Sequence, residues 1–208
     1  MRATPLFRRF ARDRRAVAAV EFALLLPVMM VMYLGVYEVT RAVTNNRKVV
    51  QLARTLADLT ARGNLTASAM ADIMASKTAV LAPYDATFAK IVVSAIGVYG
   101  SGSSVTGKVC SSTASGKDAS NQNASPLAVN TIVTVPNGFD TAGMRYIRAD
   151  VEMDYTPMLG QNIFRWITNG RSGIHFSEQT PWPVRNGSTY NSTYQEVVLP
   201  NGSPCPAS

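Results

Sequence analysis

The sequence holds few histidines and cysteines, residues that catalytic and metal sites often use. Its 208 residues include one histidine, His175, and two cysteines, Cys110 and Cys205, which are too few for a structural zinc site. A lone histidine is far more often a surface or packing residue than a catalytic base. The sequence also lacks a Gly-x-Ser-x-Gly nucleophile turn and a phosphate-binding glycine loop. These absences favour a protein that is not an enzyme and that uses no metal or cofactor.

Charge is sparse outside the amino-terminal segment. The formal net charge is +7, but residues 1–16 hold six of the 20 basic residues and one of the 13 acidic ones. The remainder therefore has only two more basic than acidic residues, and nucleic acid is not an expected partner. Basic residues directly before an apolar run indicate membrane topology instead.

One apolar run dominates the chain. From Ala16 to Tyr37 it contains one acidic residue, Glu21, and one proline, Pro27. At 1.5 Å per helical residue, this run is long enough to cross a hydrocarbon layer of about 30 Å. The positive-inside rule leaves residues 1–15 in the cytoplasm and sends everything after the span across the membrane.

The carboxylate inside the span needs an explanation, because placing such a charge mid-bilayer costs roughly 2.5–3.5 kcal/mol on insertion scales. In one explanation, Glu21 lies near the cytoplasmic headgroups, where Arg14 or Arg15 can reach it. In the other, Glu21 receives a cation from another chain once part of this chain has been cut away.

The residues around Glu21 carry a family resemblance. Residues 16–22, AVAAVEF, follow an arginine-rich leader and resemble the processing site of type IV prepilins. Residues 19–27, AVEFALLLP, more narrowly resemble the TadE-like pseudopilins of tight-adherence pili. The resemblance implies that a prepilin peptidase cuts between Ala16 and Val17, with alanine at the position where glycine is usual.

The resemblance also implies how subunits find their register. The segment containing Glu21, Phe22 and Pro27 would serve assembly, with the Glu21 carboxylate of one subunit pairing with the new α-amino group on Val17 of its neighbour. Joining the two charges removes the cost of burying each one alone in a helical bundle.

Both cysteines follow the span, and in a bacterial envelope protein they would lie in an oxidising compartment. A disulfide between Cys110 and Cys205 is the natural interpretation, and it would tether the carboxyl-terminal tail to the rest of the domain. Two free thiols, or bridges to partner proteins, are the alternatives.

The periodicity of apolar residues predicts that the first helix continues to about Arg62, as a membrane span to about residue 39 and then as an amphipathic helix. Gly63 is expected to provide a left-handed cap. A second helix, capped by Thr66 or Ser68, should end before Pro83.

The remaining pattern favours strands and loops. Strands are expected over residues 88–99, 105–110 and 131–135, with a turn over 100–104 and an exposed loop over 111–125. Residues 144–155 alternate, which predicts a strand with a buried apolar side and a solvated side carrying Asp150, Glu152 and Asp154. These acids could hold calcium, but a solvated strand face is the default. Residues 163–167 suggest a helical turn or hydrophobic clip, and 176–185 a proline-stiffened segment.

The expected fold is α+β: a long amino-terminal pilin-like helix, transmembrane in its first half, with a second helix packed on a small, mainly antiparallel β-sheet head. The expected parts are a basic cytoplasmic leader (1–16), the long helix (17–63), a periplasmic head (64–185) and a tail pinned by Cys205 (186–208).

The resemblance implies a minor pilin or pseudopilin in the assembly, initiation or tip of a tight-adherence type IV pilus used for surface adhesion. Its expected partners are other minor pilins, the major pilin, the prepilin peptidase, the inner-membrane assembly platform and, before assembly, the lipid bilayer. It would start in the bacterial inner membrane and then reach the pilus or cell surface. The alternatives are an unprocessed single-span inner-membrane anchor with a periplasmic scaffold domain, and a membrane-tethered binding protein for a ligand or envelope polymer.

Overall fold

The computed structural model describes residues 14–101, 104–118, 120–158, 165–166 and 173–207. Within these ranges the chain has the predicted α+β fold, with one long helix, two short α-helices and a five-stranded antiparallel sheet. The predicted leader, except for its last three residues, lies outside the described residues, as does most of the turn predicted over residues 163–167.

Helix α1 spans Arg14–Thr60 without interruption, which confirms the predicted continuous helix. Its two halves differ in burial. The described side chains of the lower half, residues 17–44, include no buried residue. The upper half, residues 45–60, places Leu52 and Leu56 in the core with no exposed surface.

The end of α1 depends on a glycine for a reason other than the one predicted. Gly63 has a φ of 149°, which is positive but far from a left-handed helical cap. A Cβ at Gly63 would lie 3.0 Å from the carbonyl oxygen of Asn186. The carbonyl of Ala61 accepts the amide of Arg185 at 2.9 Å, so the last turn of the helix is satisfied by the chain that follows the sheet.

The second helical segment is split. Helix α2 spans Ala67–Ala75 and helix α3 spans Lys77–Leu81. Thr66 caps α2 as predicted, because its side chain accepts the amide of Ala69 at 3.2 Å. The single helix predicted here is wrong at Ser76, whose hydroxyl donates to the carbonyl of Ile73 at 2.6 Å. A serine that bonds back to the preceding turn competes with continued helix.

The sheet has the strand order β3-β2-β1-β4-β5. Its strands are β1 (Ala89–Ser101), β2 (Ser104–Ser115), β3 (Ile132–Val133), β4 (Arg145–Tyr155) and β5 (Ile174–Pro183). The apolar side predicted for β4 is buried from Ile147 to Tyr155 and packs, with β5, against the upper half of α1. A smaller cluster around Ile96, Val98 and Tyr146 covers part of the opposite face.

Three strand predictions need correction. Residues 111–115 are not a loop, because β2 continues to Ser115 and pairs with β1. The hydroxyls of Ser94 and Ser112 are 3.0 Å apart, so polar side chains satisfy one another between these strands. The strand predicted over 131–135 is only Ile132–Val133. Strand β5 was not predicted, because its two prolines argue against a central strand; at the sheet edge they are tolerated.

Candidate functional site

The lower half of α1 is the largest apolar surface without a cover in the described structure. Every side chain from Val17 to Tyr33 is exposed, including Leu24 at 73% and Val31 at 71%. Among the described residues, α1 is also the one helix long and apolar enough to cross a membrane. Such a surface requires lipid or other apolar helices around it.

The predicted processing and register residues lie in this half, except Ala16, which directly precedes it. The peptide bond between Ala16 and Val17 belongs to the first described turn of α1. Glu21 follows one turn later and is exposed, as is the neighbouring Phe22. Among the side chains that the structure describes, none forms an ion pair with Glu21. Its carboxylate therefore lies on an apolar helix surface, where a cation from outside the chain has access.

Pro27 lies within the continuous helix, six residues after Glu21. Proline has no amide hydrogen, so the carbonyl of Ala23 loses its usual helical donor. The helix therefore lacks one backbone hydrogen bond between Ala23 and Pro27.

A cluster that sequence reasoning missed joins the lower half to the head. This base cluster consists of Tyr37, Glu38, Arg41, Tyr84 and Tyr155. The hydroxyl of Tyr155 donates to the Glu38 carboxylate at 2.6 Å, and the hydroxyl of Tyr84 donates to the carbonyl of Arg41 at 2.8 Å. The rings of Tyr84 and Tyr155 meet edge to face at 6.1 Å between centroids.

The base cluster also has a distinct electrostatic character. The Arg41 guanidinium lies 5.8 Å from the ring centroid of Tyr37 and 5.6 Å from that of Tyr84, distances typical of cation–π contacts. Burial, followed by the hydrogen bond to the Glu38 carboxylate, raises the pKa of Tyr155 well above its ordinary value. Tyr155 therefore stays protonated and keeps its hydrogen bond at physiological pH.

The tail folds back onto the head. Cys110 and Cys205 form a disulfide across 95 residues of sequence, so the interpretation with two free thiols is excluded in this structure. Val197 and Leu199 are buried in the main core. The tail is therefore part of the packed head over these residues.

Next to the disulfide lies a buried ion pair. The Arg145 Nε atom is 3.5 Å from Oε2 of Glu196, and both side chains are almost completely buried. The same carboxylate oxygen accepts the amide of Cys205 at 3.1 Å, and Arg145 donates to the carbonyl of Pro206 at 3.0 Å. Burial raises the pKa of Glu196 despite the neighbouring guanidinium. The pair fixes the tail beside the sheet.

The acidic face of β4 does not form a metal site. Asp150 pairs with Arg148 at 2.8 Å, Glu152 with Lys90 at 3.1 Å, and Asp154 with His175 at 2.7 Å. Within the described ranges, no group of three potential ligands forms a metal site. The face is also less solvated than predicted, because the Asp150 side chain is only 14% exposed, and burial raises its pKa.

An apolar run from Val17 to Tyr37 with one acid, continuous with a helix half that packs under a small α+β head, matches the organisation that the resemblance implied. Residues 16–58 match the family model of the TadE-like proteins. This TadE-like segment begins at Ala16, contains Glu21, Phe22 and Pro27, and ends two residues before α1 does.

The TadE-like segment supports an association with tight-adherence pili and with other components of such pili. The TadE-like proteins are a structural, non-enzymatic family. The head lies outside the segment, and comparison of the chain with curated proteins and with solved structures gave no match.

Proposed function

We propose that the protein is a minor pilin or pseudopilin that takes part in the assembly, initiation or tip of a tight-adherence type IV pilus used for surface adhesion. The observation that carries this proposal is the exposed apolar lower half of the TadE-like segment, with Glu21 on its surface. A surface of this kind is stable in lipid and in a bundle of similar helices, and a pilin occupies these environments in turn.

In this proposal the leader, residues 1–16, stays in the cytoplasm until a prepilin peptidase cuts between Ala16 and Val17. The cut creates an α-amino group with an ordinary pKa of about 8. In a bundle with other minor pilins or the major pilin, the Glu21 carboxylate of one subunit pairs with this amino group of the next. Pairing the two charges avoids the free-energy cost of burying either one alone.

The remaining parts follow from the same proposal. Residues 17–63 form the spine, first as a single span in the inner membrane and later in the filament. Residues 64–185 form a periplasmic head, and residues 186–208 form a tail held by Cys205. The assembly platform in the inner membrane would lift the subunit out of the bilayer.

A co-assembly experiment tests the role of Glu21. The Glu21→Ala variant should reach the membrane at normal levels but disappear from sheared pili that contain the other pilins, because the new amino group has lost its partner. Asp72→Ala is the matched control, since Asp72 is an exposed acid on α2. It should co-assemble normally. Wild-type co-assembly of Glu21→Ala would contradict the pairing.

The unprocessed anchor remains the competing function. It keeps Met1 and the arginine-rich leader, and it never enters a filament. The two functions differ in the mature amino terminus, which mass spectrometry of the membrane-extracted protein reads directly.

A further inference from the structure

We propose that the membrane-proximal end of the head lies in the lipid headgroup layer before assembly, with the side chains of Phe88 and Met158 inserted among the lipids. The partner is the phospholipid surface on the periplasmic side of the inner membrane. The inference rests on the membrane-anchored start of the proposed function, and it adds a second membrane contact that the span alone does not require.

The base cluster lies at the level of the lipid headgroups when the span is inserted. A span from Val17 to Tyr37 is about 31 Å long at 1.5 Å per residue, which matches the hydrocarbon core. Arg41 follows Tyr37 by four residues, or about 6 Å along the helix. The headgroup layer on each side is about 5–8 Å thick. The helix therefore passes through this layer between Tyr37 and Arg41.

The head is bound to the helix at the level of the headgroups. Tyr155 donates to Glu38, and Tyr84 donates to the carbonyl of Arg41. Met158 also contacts the Arg41 guanidinium. These contacts hold this end of the head beside residues 38–41, so it cannot lie far above the hydrocarbon boundary while the span is inserted.

The membrane-proximal end of the head exposes two large apolar side chains. Met158 is 65% exposed and Phe88 is 38% exposed. Phe88 directly precedes β1, whose first residue pairs with Met153, two residues before Tyr155. Isolated exposed apolar side chains are common on soluble surfaces, but these two lie at the level of the headgroups.

The cluster beside them has the composition of a membrane interface. Tyrosine rings and arginine stems place their apolar parts toward the hydrocarbon and their polar tips toward water or phosphate. Tyr37 and Arg41 are such residues on the helix, and Tyr84 adds a third on the head. Lipid contact at Phe88 and Met158 extends this interface onto the head.

Tryptophan quenching in vesicles tests the inference. The chain has two tryptophans, so the full-length protein with Trp166→Phe and Trp182→Phe accepts single reporters, Phe88→Trp or Met158→Trp. The vesicles contain phosphatidylethanolamine and phosphatidylglycerol with bromine at shallow acyl positions. Both reporters should be quenched several-fold more strongly than Trp182, because bromines at shallow acyl positions quench residues that lie near the bilayer surface.

Two control reporters define the fluorescence expected outside the bilayer and inside the hydrocarbon core. The single variant Trp166→Phe leaves Trp182, which stacks with Arg185. Arg185 pairs with Asp58 at 2.9 Å, and Asp58 is twenty residues past Glu38, or about 30 Å along the helix. Trp182 should therefore stay unquenched. The reporter Tyr33→Trp lies inside the span and should be quenched by deeper bromines.

The outcomes separate this inference from the proposed function. Quenching at residue 33 without quenching at residues 88 and 158 overturns the headgroup contact and leaves the anchored pilin intact. Absence of quenching at residue 33 overturns both. A second measurement uses the unmodified chain: a phospholipid with a photoreactive diazirine near its headgroup should label peptides containing Phe88 and Met158, whereas labelling confined to the span would overturn the inference.

Discussion

The lower and upper halves of α1 share one helix but present opposite surfaces. In the lower half, Leu24 is 73% exposed, and in the upper half Leu56 is completely buried. The same residue type is thus exposed in one half and packed against the β-sheet of its own head in the other. The boundary lies at Asn45, the first buried residue among the side chains described from Val17 onward.

The difference shows why this helix cannot be understood from the isolated chain. The upper half obtains its stability from the head, since its apolar stripe packs on β4 and β5. The lower half adds length and an apolar surface without adding to the core. Its stability requires a bilayer or a bundle, so changes in the two halves should have separable effects on folding and on assembly.

A matched pair of leucine substitutions gives the largest expected contrast. Leu56→Ala should lower the free energy of unfolding of the head by about 2–5 kcal/mol, because it leaves a cavity in the core. Leu24→Ala should change it by less than about 0.5 kcal/mol, since its side chain makes no core contact. Denaturant unfolding of the full chain in detergent, followed by near-ultraviolet circular dichroism, measures both.

Equal losses in the two variants would show that the halves are energetically one unit. That result would contradict the division of α1 at Asn45.

Removing the disulfide should change the stability of the head without changing the lower half of α1. Cys110→Ser with Cys205→Ser should cost about 2–5 kcal/mol, because the unfolded chain regains the entropy that the cross-link between these residues removes. Membrane insertion of the lower half should be unchanged. Denaturant unfolding of the oxidised wild-type protein, the reduced wild-type protein and the double variant measures this loss. Identical unfolding curves for all three would mean that the buried core and the Arg145–Glu196 pair hold the tail without the covalent link.

The Tyr155→Phe substitution tests the junction between the lower half of α1 and the head. Loss of the hydrogen bond to Glu38 should cost roughly 1.5–3 kcal/mol, because the acceptor is a carboxylate. The fold should otherwise persist, since phenylalanine keeps the ring against Tyr84.

The pH dependence of this difference has a defined sign. The pKa of Tyr155 is higher in the folded protein than its ordinary value of about 10, because burial and the Glu38 carboxylate disfavour the phenolate. The folded state then binds more protons than the unfolded state above pH 10, so stability falls there as pH rises. The advantage of wild type over Tyr155→Phe should be constant from neutral pH to about pH 10 and shrink above it; an advantage that grows with pH in the alkaline range would contradict the assignment.

A smaller effect than at Tyr155 is expected at the boundary itself. Asn45 is completely buried, and among the described residues neither polar atom of its side chain has a hydrogen-bond partner. Asn45→Ala should cost less than about 1 kcal/mol, because the lost packing is offset by removal of an unsatisfied amide. Leu52→Ala, two turns further along, is the control with an expected loss of about 2–5 kcal/mol. A loss of that size at Asn45 would point to a bound water or another partner for the amide.

Much of this architecture was predictable because it depends on local patterns. The length and polarity of the run from Ala16 to Tyr37 indicate the span, and the alternation in residues 144–155 indicates β4. The cap at Thr66 follows from residue type and position. The disulfide was predictable because both cysteines follow the span and therefore lie on the same side of the membrane.

The parts that were missed depend on long-range pairing. Strand β5 carries Pro181 and Pro183, which are acceptable only because it lies at the sheet edge, and sequence alone does not reveal that position. The hydrogen bond from Tyr155 to Glu38 joins residues 117 positions apart. No local pattern indicates such a contact, or that the carboxylate of Glu196 would be buried beside Arg145.

The mature amino terminus tests the central claim most directly, because the new amine on Val17 exists only if the leader has been removed. Intact-mass and peptide mass spectrometry should be applied to the protein recovered from sheared pili. The account predicts a chain that begins at Val17. A filament-bound chain that still begins at Met1 and carries the arginine-rich leader would contradict it.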